Sequence, residues 1–564
     1  MLFVAAVFSL LYGIAERTVW APPAAHTMQV QLTTNNPLVV IPNPVLRAYD
    51  GVPEIQASGT SQVFISTGTS NDLDAWVGET NHDVLTLEDK GTALTSSSIT
   101  GAELRANPTG SDLWVEETTA PNAATLQIDD SSRASVLIAS NGLETAPRNV
   151  RLTWPIYHDL GPSNTALIVG SVLLLLALII NIWTYRVMRR NRGPRRRTPK
   201  APHGPRMRRR HRSSNYSAPK HGRRSTRQAF TALPAGALIV SLLTGCAPFS
   251  SANPSPTPSA SEVDLTKTPP VVVAKQLQRI VKNVAATAKR ADAAKDHDQL
   301  SPRFTGPALA VRQAHYLLQS RGSATSKLPA ISGRSITFTL PEATTSWPRS
   351  VMVVTDDPGD ENLPQLLVLQ QQTPRSNYLV WYTIGLLPGT SIPAVATAEV
   401  GTTSVPADSL FLKVAPNSLP ASFGDLVNKG SASTQFPLYD VSKDEFYQAL
   451  SAAQANQVAQ LKGAKITFKH ELANPNIITL ATMDAGALVA VSVNDVTQIK
   501  PKSNASAVSV SGDEKLMLGA DGSASGIKTV YADLLFFFVP AVSDDTGLIR
   551  LLGATQGLIS VSGL

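Results

Sequence analysis

The feature that most constrains this chain is an unbroken apolar run at residues 166–183, ALIVGSVLLLLALIINIW, in which Asn181 is the strongly polar residue. About 20 such residues, at ~1.5 Å each, cross a bilayer as a helix. Trp183 and Tyr185 close the run and Tyr157 precedes it, as an aromatic belt would. Arg186, Arg189, Arg190 and Arg192 follow at once. A helix buried in a soluble core would not end an uninterrupted leucine run on an arginine cluster. The run therefore reads as a transmembrane helix over residues 164–185. The positive-inside rule puts its arginine end in the cytoplasm.

Two further apolar segments flank this helix. Residues 1–15, MLFVAAVFSLLYGIA, end at Glu16 and Arg17 and are short for a span. An uncleaved anchor over residues 1–20, with Trp20 at the interface, is the leading reading. A cleaved signal peptide competes with it, but the basic n-region and a clean A-x-A site are missing. Residues 229–245, AFTALPAGALIVSLLTG, follow Arg223, Arg224 and Arg227 and end at Cys246. With Leu243, Thr244 and Gly245 before the cysteine, the 229–246 segment resembles the lipobox of bacterial lipoproteins, set far inside the chain. The resemblance implies a diacylglyceryl group on the Cys246 thiol and cleavage before it; an ordinary short span with a chance cysteine is the competing reading. Two acyl chains anchor stably where a single chain binds marginally. Cys246 is the one cysteine in 564 residues, which excludes an internal disulfide framework and a cysteine-based zinc site. The expected topology places residues 21–160 and 247–564 outside the plasma membrane and 186–228 inside.

The charge follows the same division. The chain is formally +7, but residues 186–228 carry 17 Lys and Arg without an acid, whereas residues 21–160 carry 6 against 16 Asp and Glu. A nucleic-acid-binding globule would build its positive face into a fold, so no nucleic-acid partner is expected. The basic loop, with Arg195, Arg196 and Arg197 among Pro, Gly and Ser, cannot bury a core and is expected to be disordered. Its arginines, with Arg186, Arg189 and Arg190, orient the membrane segments. Anionic lipid is a compatible partner, at about 1 kcal/mol per basic residue near the surface. His203, His211 and His221 are too dispersed in it for a metal site, and Tyr216 alone could stack on a base.

Residues 21–160 alternate short apolar runs with turn residues: MQVQL at 28–32, PLVVI at 37–41, QVFIS at 62–66, LWVE at 113–116, ATLQI at 124–128, ASVLIA at 134–139 and VRLTW at 150–154. Many short strands at this spacing predict an all-β sandwich with Trp76, Trp114 and Trp154 as core anchors. After a Ser/Pro/Thr stalk at 247–270, two α+β units are expected, at 271–405 and 406–564. In the first, a helix over 273–295 and another over 306–319 precede strands at 335–340, 351–355, 365–370 and 378–386. In the second, Ser442 and Glu445 read as a capping box for a helix over 443–461, followed by strands at 465–471, 477–482, 488–493, 529–539 and 558–561. The sequence ITF recurs at 336–338 and 466–468. A helix followed by a curved antiparallel sheet is similar in element order to the nuclear-transport-factor-like and cystatin-like cones, a likeness that carries no activity by itself.

Catalytic patterns are sparse. His470-Glu471 lacks the second histidine of H-E-x-x-H, and residues 522–526, GSASG, carry Ala524 where G-x-S-x-G needs serine. Asp72, Asp74 and Glu79 cluster near Trp76, with a D-x-D spacing too short to specify a glycosyl-transfer site. Asp292, Asp296, His297 and Asp298 read as a solvated helix end. Asp356, Asp357, Asp360 and Glu361 flank Pro358-Gly359, which is turn chemistry before it is a calcium loop. His315 reads as a core histidine. No catalytic residue, metal site or cofactor is expected.

Four segments carry a wider resemblance: IAERTVW at 14–20 with Pro22 and Pro23, DAWVG at 74–78, the lipobox, and RFTGPAL at 303–309. Together they resemble an uncharacterised family of actinobacterial envelope proteins. This implies an envelope location and supplies no activity. The expected function is binding or scaffolding in cell-wall or envelope assembly, non-enzymatic, with membrane lipid and an unknown envelope protein or polymer as partners. Two alternatives stand: an envelope enzyme acting on glycans through carboxylates in a cone pocket, and an accessory or sensory subunit of a membrane complex. Facing carboxylates in a deep pocket would favour the enzyme; a cone filled with Leu, Val and Phe would count against it.

Overall fold

The computed structural model describes residues 1–21, 23–88, 93–103, 106–129, 133–156, 161–191, 268–324, 328–356, 363–503 and 507–564. These form two compact units. The chain is mixed α/β with several sheets.

The first unit pairs α1 (Leu2–Arg17) with α4 (Gly161–Arg190). Among the described residues, α4 is the helix long and apolar enough to cross a membrane. Arg189 and Arg190 occupy its last turn. The buried residues of α1 are Ala6 and Gly13, and those of α4 are Ser163, Gly170 and Ala177, seven apart in each helix. That spacing keeps small residues on one face, where backbones can approach closely. The helices run antiparallel: Arg17 Nε donates to Ser163 Oγ at 3.2 Å, and Gly170 faces Leu10. The lipobox, Arg195, Arg196, Arg197 and most of the stalk lie outside the described residues.

The second unit joins residues 23–157 to residues 265–564. Its first part contains β1 (Ala25–Gln31), β2 (Leu38–Ile41), α2 (Asn43–Leu46), β3 (Glu54–Thr69), α3 (Ser70–Val77), β4 (His82–Leu87), β5 (Leu94–Ile99), β6 (Glu116–Gln127), β7 (Ala134–Ala139) and β8 (Asn149–Pro155). The expected sandwich is instead one eight-stranded sheet in the order β1-β8-β3-β7-β2-β4-β5, with β6 on β3. The long strand β3 makes this possible. Its first half pairs with β8, its second half with β7, and β6 follows both across an irregularity between Ser58 and Gln62. The sheet is apolar on both faces. Val63 and Ile65 join a large core with Trp154, while Phe64 joins Trp76 and Trp114 beneath α3. Residues 113–115, expected to be a strand, form the turn into β6. There the Trp114 indole donates to the Pro108 carbonyl at 2.6 Å.

The second part begins with α5 (Ala274–Ala294) and α6 (Gly306–Ser320). Strands β9 (Ser335–Pro341), β10 (Arg349–Asp356), β11 (Gln365–Gln371) and β12 (Leu379–Gly385) make an antiparallel four-stranded sheet. Then come α7 (Leu419–Lys429), α8 (Glu445–Gln460), β13 (Ala464–Leu472), β14 (Ile478–Ala481), β15 (Ala487–Pro501), β16 (Val508–Ser509), α9 (Gly512–Leu518), β17 (Gly522–Ser523), β18 (Ile527–Val539) and β19 (Arg550–Gly563). The larger sheet runs β13-β15-β18-β19, with β14 on β15.

Strand alternation arranges these elements in four layers. Val351, Val353, Leu367 and Leu369 pack on Leu277, Ile280 and Val284 of α5. Met352, Val354, Leu366 and Val368 face the other way, against Leu488, Ala490, Leu534, Phe536 and Phe538 of the larger sheet. The opposite face of that sheet, with Val489, Val491, Leu535 and Phe537, is covered by Leu419, Phe423 and Leu426 of α7. A register shift opposite Trp381 turns β12 over, so Tyr378 and Val380 face α5 whereas Tyr382 and Ile384 face the second sheet.

Two details differ from the sequence reading. The helix that covers the second sheet is α7, whereas α8, the one expected from its cap, buries only Gln454. The N-cap of α8 is Asp444, whose side chain accepts from Tyr447 N at 2.9 Å; the Ser442 hydroxyl donates instead to Asp440.

Candidate functional site: an arginine–aspartate seam

The acidic sheet of residues 25–155 meets the 268–564 region through buried ion pairs whose acids come from the first part and whose cations come from the second. Asp112 sits in the turn that precedes β6. Its carboxylate takes both terminal nitrogens of Arg303, one at 3.1 Å, and the backbone N–H of Tyr378 at 2.8 Å. Its own N–H donates to Asn377, and its carbonyl accepts from the Gln276 amide. Arg303 is positioned by a turn clamped to β12, since Val380 N donates to the Arg303 carbonyl at 2.8 Å. The next turn enters α6 through Gly306, where a Cβ would stand 2.6 Å from the Trp381 ring at a φ of +53°, so glycine is required there.

Arg349, at the head of β10, pairs with Asp72 in the first turn of α3 and stacks over Trp347 at 3.6 Å. Both partners are buried: their side chains are 2% and 8% exposed. Burial pushes the Asp72 carboxyl above its ordinary value, while the Arg349 guanidinium pulls it back. Arg375 donates to the carbonyls of Trp76 and Val77 at 2.8 and 3.0 Å, satisfying the last turn of α3. Arg279 donates to the Trp114 carbonyl and Lys275 pairs with Glu116. Desolvation offsets most of the attraction in buried pairs of this kind, but a misplaced or missing partner leaves a buried charge alone. The seam therefore fixes one arrangement more than it adds net stability.

A second polar group lies on the larger sheet beneath α7. Register places His470 of β13 opposite Asp495 of β15, and Asp533 of β18 opposite Gln556 of β19. His470 Nε2 stands 3.5 Å from Asp495 Oδ1, and Gln556 Nε2 donates to Asp533 Oδ1 at 2.9 Å. Among the described residues neither ring nitrogen of His470, nor Asp495 Oδ1, nor Asp533 Oδ2 has a hydrogen-bond partner. Burial raises Asp495 to about 6. Burial together with the Asp495 charge raises Asp533 to about 7, and burial lowers His470 to about 4. The space between the two sheets is filled by Leu, Val, Phe and Tyr side chains, so this acid row does not face it.

The other sequence candidates do not converge. Asp72 points into the seam, but Asp74 and Glu79 are exposed, because residues two apart on a helix face opposite sides. Asp292 accepts from Arg312 and Tyr316, whereas Asp296 caps the following turn and His297 and Asp298 are exposed. His315 is buried in α6, where desolvation lowers its pKa. Glu471 is exposed, whereas the side chain of the adjacent His470 is buried. Ser523 and Ser525 bond to each other in a turn. Asp357, Asp360 and Glu361 lie outside the described residues. No group of three potential ligands gathers into a metal site among the described residues. Reading the sequence missed Asp112, Arg349, Asp495 and Asp533. The signal was a lone charge beside or inside an apolar strand, as in SVMVVT after Arg349 or YADLLFFF around Asp533.

The geometry thus defines a two-part folded block clamped by buried arginine–carboxylate pairs. The family described as "Domain of unknown function (DUF8094)" matches residues 268–563, more than half of the chain, and the chain belongs to that family. All five seam cations lie within the matched region, and the carboxylates and carbonyls of the first part that they bond lie outside it. No curated protein and no solved structure matches the chain.

Proposed function

We propose that the protein is a membrane-tethered envelope protein whose two external parts act as one binding or scaffolding block. The observation that carries this reading is the seam. It supports residues 25–155 and 268–564 lying on the same side of any membrane that α4 crosses. A chain that leaves through α4 must then return between residues 191 and 268, and the apolar stretch at 229–245 supplies the return. The arginines that end α4, including Arg186, Arg189 and Arg190, support a cytoplasmic loop. The likeness to actinobacterial envelope proteins and the lipobox ending at Cys246 belong to the same proposal, as does the cone-like order of helix and sheet in residues 271–405 and 406–564. The apolar filling between the sheets supports a non-enzymatic role. Cys246→Ser tests the lipid anchor: loss of a mass shift and of membrane retention is expected, and unchanged mass and retention would remove it. Crosslinking in intact cells followed by purification tests the role. Recovery of an envelope protein or wall polymer is expected; no partner, together with an unaltered wall on deletion, would count against scaffolding.

The glycan-acting alternative has Asp495 and Asp533 as its candidate carboxyls, but both are buried on the α7 face of the sheet and away from the space between the sheets, so they do not favour it.

A further inference from the structure

The ion pairs across the seam have one polarity, with acids from the first part and cations from the second, and aromatic rings come from both. Asp72 and Asp112 face Arg349 and Arg303, Trp347 packs beside Trp76, and the backbone of α3 is capped by Arg375. Nothing in these contacts requires the covalent connection, which runs through the other compact unit and more than a hundred residues.

We propose that the seam is a two-chain interface: the DUF8094 region binds the acidic eight-stranded sheet tightly enough to hold it when the connection is cut. The partner of this surface is thus a β-sheet domain presenting buried-face aspartates, here the chain's own residues 25–155. The proposal rests on the reading of the two parts as one external block, and it gives processing at Cys246 a consequence. Hydrolysis of the Gly245–Cys246 amide by one water leaves a carboxylate on Gly245 and an amine on Cys246. The lipid-anchored C-terminal product then stays docked on the N-terminal half.

The test uses the full-length protein carrying Cys246→Ser, with a protease site inserted in the 192–228 loop. The protein is extracted in mild detergent, cut, and recovered through a C-terminal tag. The N-terminal half is expected to stay bound through a wash at high salt, because buried pairs are screened little. Arg303→Ala with Arg349→Ala is expected to weaken retention on the order of 100-fold, the scale for truncating buried charged partners. Asp72→Asn with Asp112→Asn, altered on the other side and nearly isosteric, should release it too. Separation of the halves in the parent protein, or retention as strong in both variants as in the parent, overturns the proposal; the latter would mean that the membrane segments alone hold the halves in one micelle. The mass of the tagged product from the unaltered chain reports Cys246 processing independently. Halves that stay together without natural cleavage leave the interface standing and remove the lipobox reading.

Discussion

Arg349 opens a strand that is otherwise buried, and its charge is tolerated because Asp72, Trp347 and the Ser346 carbonyl surround it. Arg349→Met alone leaves the buried Asp72 carboxyl without its cation and is expected to cost about 3–5 kcal/mol. Arg349→Met with Asp72→Leu should cost far less, and thermal unfolding of the three proteins distinguishes the cases. Asp533 gives a pH-dependent prediction. Its folded pKa is about 7 against roughly 3.9 for an unperturbed aspartate. The folded state therefore binds more protons across that window, and stability falls as pH rises through it. Asp533→Asn removes the effect: the variant should match the parent near pH 4 and melt at higher temperature by pH 8. His470 has the opposite slope, losing stability as pH falls from roughly 6.5 toward its folded value of about 4. The difference between variant and parent curves reports Asp533 together with its coupling to Asp495, whose slope has the same sign.

At the scale of elements, close approach decides more than propensity. Helix α7 crosses the second sheet with Gly424 directly over His470, where a Cβ would come within 2.5 Å of the histidine Cβ. Alanine is the better helix former by ~1 kcal/mol, but overpacking costs ~1–3 kcal/mol. Gly424→Ala should therefore lower the melting temperature, whereas the same change at exposed Gly463, with open space around it, should not. The α1–α4 pair rests on the same logic. A Cβ at Gly170 would stand 2.8 Å from Leu10, so Gly170→Leu should separate the helices. Crosslinking between Ser9→Cys and Ala166→Cys, whose parent residues are hydrogen-bonded at 2.6 Å, should then fall sharply.

For the whole molecule, the seam and the membrane reading make one joint prediction. With Cys246→Ser as background, cysteines placed at exposed Leu143 and Leu410 should both react with a membrane-impermeant maleimide on intact cells, and one at Arg190 should not. Labelling of Leu143→Cys without Leu410→Cys would separate the two parts across the membrane and is incompatible with the Arg303–Asp112 and Arg349–Asp72 pairs.

Much of the fold was legible in local pattern. The apolar run of α4, the helical spacing of α5 and the short apolar runs of β7, β10, β11 and β18 depend on neighbours along the chain, so local pattern shows them directly. The α7 helix was missed because LPASFGDLVNK begins with a proline turn and is short. The α8 helix looked central because its cap and length were clear, but those features say nothing about what a helix covers. The sandwich became one sheet because β3 shares its length between β7 and β8, a choice of partners made across some 65–100 residues. By itself the sequence determined which segments are apolar, where the charge lies and the character of most elements, since each follows from side-chain chemistry within a few residues. Only the tertiary structure decided that the acidic sheet and the DUF8094 region form one block, because the charges that clamp them, Asp72 with Arg349 and Asp112 with Arg303, lie 277 and 191 residues apart. Each acts only once folding has excluded water around it.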